Sequence, residues 1–142
     1  MLRTVEQSIP AHLVNGTPPI ASMTVRLVYT ADDPLAVRMT FPAAASLHGS
    51  SVTWVFARDL LDSGLRAPSG RGDVRIRPCG RTRTTVELRS PQGVALLRFA
   101  TGRLRHFLLH SYTAVPADLE SRALGIDAAL AALLPGARDT QE

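Results

Sequence analysis

Few residues in this 142-residue chain have types and spacings that chemistry can use. His106 and His110 stand four apart in a stretch of helical period, which lets two imidazoles reach one metal ion. No Glu follows His106, and the nearest acids, Asp118 and Glu120, lie beyond Pro116, so the His-Glu-x-x-His pattern is missing. The two histidines therefore read as solvated surface residues. Cys79 is the only cysteine, without a Cys-x-x-Cys partner, which excludes an internal disulfide. Only a basic setting beside Pro78 and Gly80 speaks for a reactive thiolate. Asp32-Asp33 and Asp59 with Asp62 are paired carboxylates, yet turn chemistry before Pro34 and a short helix explain them better than acid–base catalysis. Gly70-Arg71-Gly72 lacks the third glycine of a dinucleotide fingerprint and precedes a strand instead of a helix. Arg71-Gly72-Asp73 spells an adhesion tripeptide that is incidental here. No cofactor, no metal and no catalytic residue is expected, so the chain reads as a non-enzyme.

Arginine carries more information. All 16 Lys+Arg residues are arginine, which removes the phosphate-binding ammonium of a P-loop and every Schiff-base chemistry. A GC-rich genome explains the missing lysine. The net charge of +4 is uneven: Arg66 to Arg105 holds ten arginines against Asp73 and Glu87, a net of +8, and the remainder nets −4. A basic face of this kind suits an acidic protein, nucleic acid or anionic lipid, or is simply a solvated sheet face. Arg75 and Arg77 share a strand face opposite Val74 and Ile76, and Arg81 and Arg83 follow in the next turn and strand. Paired as a hairpin, the two segments bring up to four guanidiniums together. A single-strand nucleic-acid platform adds exposed aromatics for stacking, whereas Trp54, Phe56, Phe41 and Tyr29 fall on faces that read as core.

The elements that must hold these residues are mostly strands. Residues 1–22, with Pro10, Asn15-Gly16 and Pro18-Pro19, read as an N-terminal arm in which Ala11 to Val14 alone has strand character. Period-two alternation starts at Met23, pauses at the turn Ala31-Asp32-Asp33-Pro34 and resumes through Phe41. A third apolar face joins Val52, Trp54 and Phe56. Arg58 to Gly64 predicts a two-turn helix stopped by its glycine. Strands follow at 74–77, broken by Pro78, then at 84–89 and 94–99, the last two joined by the tight turn Ser90-Pro91-Gln92-Gly93. From Thr101, a candidate cap, the period becomes helical through Leu104, Phe107 and Leu108. Short helices are expected from Pro116 to Glu120 and over 126–134, then a polar tail at 137–142. The fold class is α+β, with a main domain at 23–136. The opening residues lack the apolar stretch of a signal peptide, and no run reaches membrane-helix length, so the expected location is cytoplasmic with no direct membrane insertion.

The order of motifs resembles the SsgA-like regulators of sporulation and cell division in filamentous actinobacteria. The resemblance is carried by Asp33-Pro34-Leu35-Ala36-Val37, by the specific run Val52-Thr53-Trp54-Val55-Phe56-Ala57-Arg58-Asp59-Leu60-Leu61, and by Gly64-Leu65 with Pro68. Gly70 to Arg75, Ser90 to Leu97, Phe107-Leu108 and Val115-Pro116 extend it over about residues 23–120. It implies antiparallel strands forming a barrel-like, whirly-type core with a short helix mid-chain and C-terminal helices, assembled as a homotrimer. It also implies a non-catalytic adaptor at septa or wall-growth sites that recruits FtsZ, another SsgA-like protein or wall-remodelling machinery. The alternative is a single-stranded nucleic-acid-binding module using the basic face of residues 66–105. Within these motifs Asp33 and Pro34 set a turn, Trp54 and Phe56 fill the core, and Arg58 pairs with Asp59 or caps the short helix. Gly72, Pro91 and Gly93 shape tight turns. The candidate partner-binding residues are Arg75, Arg77, Arg81 and Arg83. Arg77 replaces an aromatic and Arg98 an acid of the usual pattern, and His110 lies near a usual arginine. The arm is also longer than usual, which marks a divergent paralogue.

Overall fold

A computed structural model describes residues 3–15, 22–43 and 49–117 of the chain. The helices expected at 116–120 and 126–134, the tail at 137–142 and the Pro18-Pro19 segment lie largely or wholly outside the described residues. In chain order the elements are β1 (Thr4–Leu13), β2 (Ser22–Thr30), β3 (Ala36–Phe41), β4 (Val52–Ala57), α1 (Arg58–Arg66), β5 (Val74–Cys79), β6 (Arg83–Ser90), β7 (Gly93–Ala100) and α2 (Thr101–Ala114). The strands form one seven-stranded sheet in the order β4-β3-β2-β1-β7-β6-β5, antiparallel at every pairing. The sheet curls into a half-barrel whose inner face carries the helices, so the α+β class and barrel-like core expected from the sequence are present.

Alternation explains the layering. Val25, Leu27 and Tyr29 of β2, Val37 and Met39 of β3 and Ile76 of β5 are buried on the inner face, with Val86, Leu97 and Phe99 from β6 and β7. Intervening residues such as Arg26, Arg38 and Arg75 face outward. Against this face α2 lays Leu104, Phe107, Leu108 and Ser111, at the i, i+3, i+4, i+7 spacing of one helical stripe. Burying each such Leu or Phe stabilises the fold by about 1.5–3 kcal/mol.

The largest difference from the sequence expectation is at the N-terminus. Thr4–Leu13, read as most of a loose arm, is a ten-residue strand in the middle of the sheet. Ile9 and Ala11 point into the core, and nine residues pair with β2 from Thr4↔Thr30 to His12↔Ser22. Pro10 hid this strand. Pairing to β7 runs only from Ala11 to Leu13, so at Pro10 one flank of β1 is open and a missing N–H is tolerated.

Smaller corrections have local causes. Gly64 does not stop α1, which runs on to Arg66; it is buried where the helix crosses β5, and a Cβ there would lie 2.4 Å from Ile76 Cβ. Pro78 does not break β5, because β5 is an edge strand with no neighbour needing that N–H. Gly72 has neither positive φ nor a close neighbour; the demanding glycine is Gly70, at φ +108°, where a Cβ would lie 2.5 Å from Val74 O. Gly93 does take a φ of +136°, closing the two-residue turn after Pro91-Gln92. Thr101 is the first residue of α2 and makes no cap bond; its hydroxyl lies 2.8 Å from that of Thr84. Trp54 is only half-buried and Val52 is exposed, leaving Phe56 as the buried member of the third apolar face, because β4 is the other sheet edge.

Arg58 does not pair with Asp59 in the described contacts. Fully buried, it spans the core so that Nη1 donates to Ser111 O (3.0 Å) and Val115 O (2.7 Å), carbonyls at the C-terminal end of α2. Its guanidinium lies 4.7 Å from the Tyr29 ring centre and 4.4 Å from that of Tyr112. The negative end of a helix dipole and two aromatic faces thus stabilise the charge. The ring hydroxyls extend the network, Tyr29 Oη donating to Pro34 O at 2.9 Å and Tyr112 Oη to Asp62. The Asp33-Pro34 turn, tied further by the Arg38–Asp33 ion pair at 3.2 Å, is therefore linked to the helices through Arg58.

Candidate partner-binding face

The outer sheet face over β5, β6 and β7 is built by register. The two-residue turn pairs Ser90 with Gly93, which places Thr85 opposite Arg98 and Glu87 opposite Leu96. On the other flank β5 sets Arg75 opposite Glu87, Arg77 opposite Thr85 and Cys79 opposite Arg83. Since Val74, Ile76, Val86, Leu88 and Leu97 turn inward, Arg75, Arg77, Arg83, Arg89 and Arg98 share the outer face with a single carboxylate among the described residues of these strands, Glu87. The hairpin expected from the sequence thus forms and gathers Arg75, Arg77 and Arg83. Arg81 sits apart in the exposed turn between β5 and β6.

Glu87 organises the cluster. Its side chain is only 12% exposed and accepts from Arg89 Nε at 2.5 Å and Arg77 Nη1 at 3.4 Å. The Arg89 hydrogen bond above all, then the charges of Arg89, Arg75 and Arg77, hold its carboxyl below the ordinary value of 4.5 against the opposing effect of burial. Arg98 lies opposite Thr85 on one side and His12 on the other, and its enclosed Nε finds no hydrogen-bond acceptor among the described residues. His12 Nδ1 lies 2.9 Å from Ser22 Oγ, completing a polar row from Arg77 to Ser22 across five strands and both pairings of β1.

Arg89, Arg98 and His12 were missed as members of this face. The signal for Arg98 was present: Leu97 and Phe99 alternate inward, so residue 98 faces out, and the Pro91-Gln92 turn sets the register. His12 was hidden with β1.

The remaining candidates do not assemble into chemistry. The His106 and His110 rings lie 4.2 Å apart, tilted at 55° to each other, on an exposed side of α2, and no group of three or more metal-binding side chains occurs among the described residues. His110 borders a shallow groove with Arg3, Glu6 and Thr113, closed on one side by Arg3 Nη1 donating to Thr113 O at 3.3 Å. Cys79 is half-buried and free. Asp59 lies exposed in the first turn of α1. All seven aromatic residues lie within the described regions: Tyr29, Phe41, Phe56, Phe99 and Phe107 are buried, and Trp54 and Tyr112 pack partly buried against the core. None stands beside the arginine cluster. No helix of the described residues is long and apolar enough to cross a membrane.

Comparison with known proteins agrees with this architecture. The family model for the Streptomyces sporulation and cell division protein SsgA matches residues 23–120. The sporulation-specific cell division protein SsgB of Kineococcus radiotolerans is 37% identical over 92% of this chain and 79% of its own length. SsgB of Streptomyces coelicolor is also 37% identical, over 94% of this chain and 98% of its own. A solved SsgB structure superposes with a TM-score of 0.74 at 36% identity, covering 86% of this chain and 96% of that one; mutations in SsgB correlate to longitudinal cell division during sporulation of Streptomyces coelicolor. An SsgA-like sporulation-specific cell division protein from Thermobifida fusca superposes equally well, at 33% identity over 93% of this chain and 96% of that one. With the family motifs and the curled seven-stranded sheet both in place, this chain belongs to the SsgA family of sporulation and cell-division proteins.

Proposed function

We propose that this chain is a non-catalytic regulator of sporulation-specific division that works as a cytoplasmic adaptor at septa or wall-growth sites. Its outer sheet face docks an acidic division or cell-wall protein, FtsZ or another SsgA-like protein, and the adaptor acts as a homotrimer. The observation that carries the docking face is the composition of its surface: five guanidiniums from three adjacent strands against one carboxylate among the described residues, Glu87. Carboxylates from a partner meet a field of opposite sign there. Arginine suits the task because its planar fork binds carboxylates bidentately.

The same charge would attract single-stranded nucleic acid, but the inward turn of every aromatic ring removes the stacking platform such binding normally uses. The test uses the Arg77→Glu/Arg98→Glu double variant, both positions being on the outer face. The tagged parent chain is expected at sporulation septa and the variant diffuse. Purified parent should co-sediment with FtsZ filaments, weakening as salt rises, and the variant should not. Normal septal localisation of the variant would refute the docking face. Salt-steep binding of labelled single-stranded DNA, with none to FtsZ, would move the assignment to nucleic acid. Light scattering of the purified chain checks the trimer.

A further inference from the structure

The two edges of the sheet differ chemically, and the difference points to an interaction surface separate from the basic face. An exposed edge strand offers unpaired N–H and C=O groups to any other chain, and proteins normally blunt it with charge, proline or a covering loop. At β5 all three devices are present. Ser69 bridges to Ile76 through two backbone bonds (2.9 and 3.0 Å), Pro78 removes an N–H, and Arg75 and Arg77 flank the strand.

At β4 none is. The strand reads Val-Thr-Trp-Val-Phe-Ala, with no charge and no proline from Val52 to Ala57. Its register with β3 runs Phe41↔Val52 to Ala36↔Ala57. Because Arg58 N–H donates to Leu35 O, the antiparallel alternation turns the backbone groups of Val52, Trp54 and Phe56 toward β3 and those of Thr53, Val55 and Ala57 to the free edge. No described residue bonds to that edge. Val55 is 54% exposed and Val52 38%, and Trp54, the only tryptophan of the chain, is half-buried.

We propose that this edge pairs with β4 of a second copy of the chain, antiparallel and about a two-fold axis at Trp54. A strand added here must be uncharged and apolar on both faces, since it lies beside Trp54 inside and Val55 outside; β4 itself meets that description. Self-pairing also brings no like charges together. Arg58 is turned into the core, and Arg38, the outer neighbour of Val55 on β3, is held by Asp33. With Trp54 on the axis, Thr53 faces Val55 of the second copy, so edge-directed backbone groups oppose each other as a bonded pair requires. Val52 then faces Phe56 of the second copy on the inner side, and the two indoles cover one another. A closed ring made by edge pairing would need β4 against the blunted β5 edge, so this contact is isologous. A six-residue edge pair is a small interface, in the class of transient contacts, so association depends on concentration.

Hydrogen exchange on the full-length chain reads the pairing directly. The Thr53, Val55 and Ala57 amides should slow by up to about tenfold as concentration rises through the dissociation constant, while those of Val52, Trp54 and Phe56 stay protected throughout. Trp54 emission should shift to the blue over the same range. Val55→Lys places the usual edge charge on an outward, exposed position, and Thr53→Pro removes an edge-directed N–H together with the hydroxyl contact to Thr40. Each should abolish both changes while leaving the far-UV spectrum intact, and Thr53→Val, which loses the hydroxyl contact with Thr40 but keeps the N–H, should associate as the parent does. The proposal fails if the edge amides exchange at one rate at every concentration, or if Val55→Lys and Thr53→Pro both associate as the parent does. It fails equally if protection appears only when a division protein is added, an outcome that assigns the edge to that protein.

Discussion

At the residue scale, one acid decides how the arginine cluster behaves. Glu87 neutralises part of the charge of Arg75, Arg77 and Arg89, and its folded-state carboxyl lies below 4.5. A carboxyl depressed in this way stabilises the fold above its unfolded value, and the contribution disappears as pH falls through the folded value. The parent chain should therefore melt slightly above Glu87→Gln from neutrality down to pH 4.5 and lose that advantage below it. Melting curves of the two chains across this range check it; a constant difference would show that Glu87 acts through packing alone. The pairing of Arg75 and Arg77 on one face was legible in the sequence, because side-chain alternation needs only the strand. Their shared partner was not, because Glu87 arrives from another strand through register.

At the element scale, α1 and α2 are joined by Arg58, not by the sequence-local contacts expected of it. Its neighbour Asp59 offered a nearby charge, yet burial between Tyr29 and Tyr112 and two carbonyl acceptors at the end of α2 outweigh an exposed pair of small value. Arg58→Met removes the donor from buried acceptors, each costing about 1–3 kcal/mol when orphaned. Its expected loss of stability is about 3 kcal/mol or more in urea unfolding, with Arg58→Lys intermediate because the ammonium keeps the charge without the planar stacking. A Met variant as stable as the parent would remove Arg58 from the frame of the fold. Gly64 shows the same limit on local reasoning: its type suggested a stop signal, whereas its use is the close approach of α1 to Ile76.

At the scale of the whole molecule, β1 bridges the two halves of the sheet. Without it, β2 loses a nine-residue pairing and β7 its only neighbour besides β6. A chain beginning at Asn15 should show no cooperative thermal transition, since the loss of Ile9, Ala11 and both pairings is comparable to a domain's entire stability of about 5–15 kcal/mol. A sharp melt from that truncation would return residues 4–13 to the status of an arm. The sequence by itself determined the local periods: six of the seven strands, the core stripe of α2, the Asp33-Pro34 and Pro91-Gln92 turns, the concentration of positive charge in residues 66–105, and the family motifs. Those are set by side-chain alternation and turn chemistry within a few residues. Only the tertiary structure decided that a proline-containing N-terminal segment is the central strand, that Arg98 and His12 join the basic face, that Arg58 serves the far end of another helix, and that β4 is an edge strand of the sheet. Each of these depends on which strands become neighbours, and that choice is made by burial across the whole sheet instead of by any local run of residues.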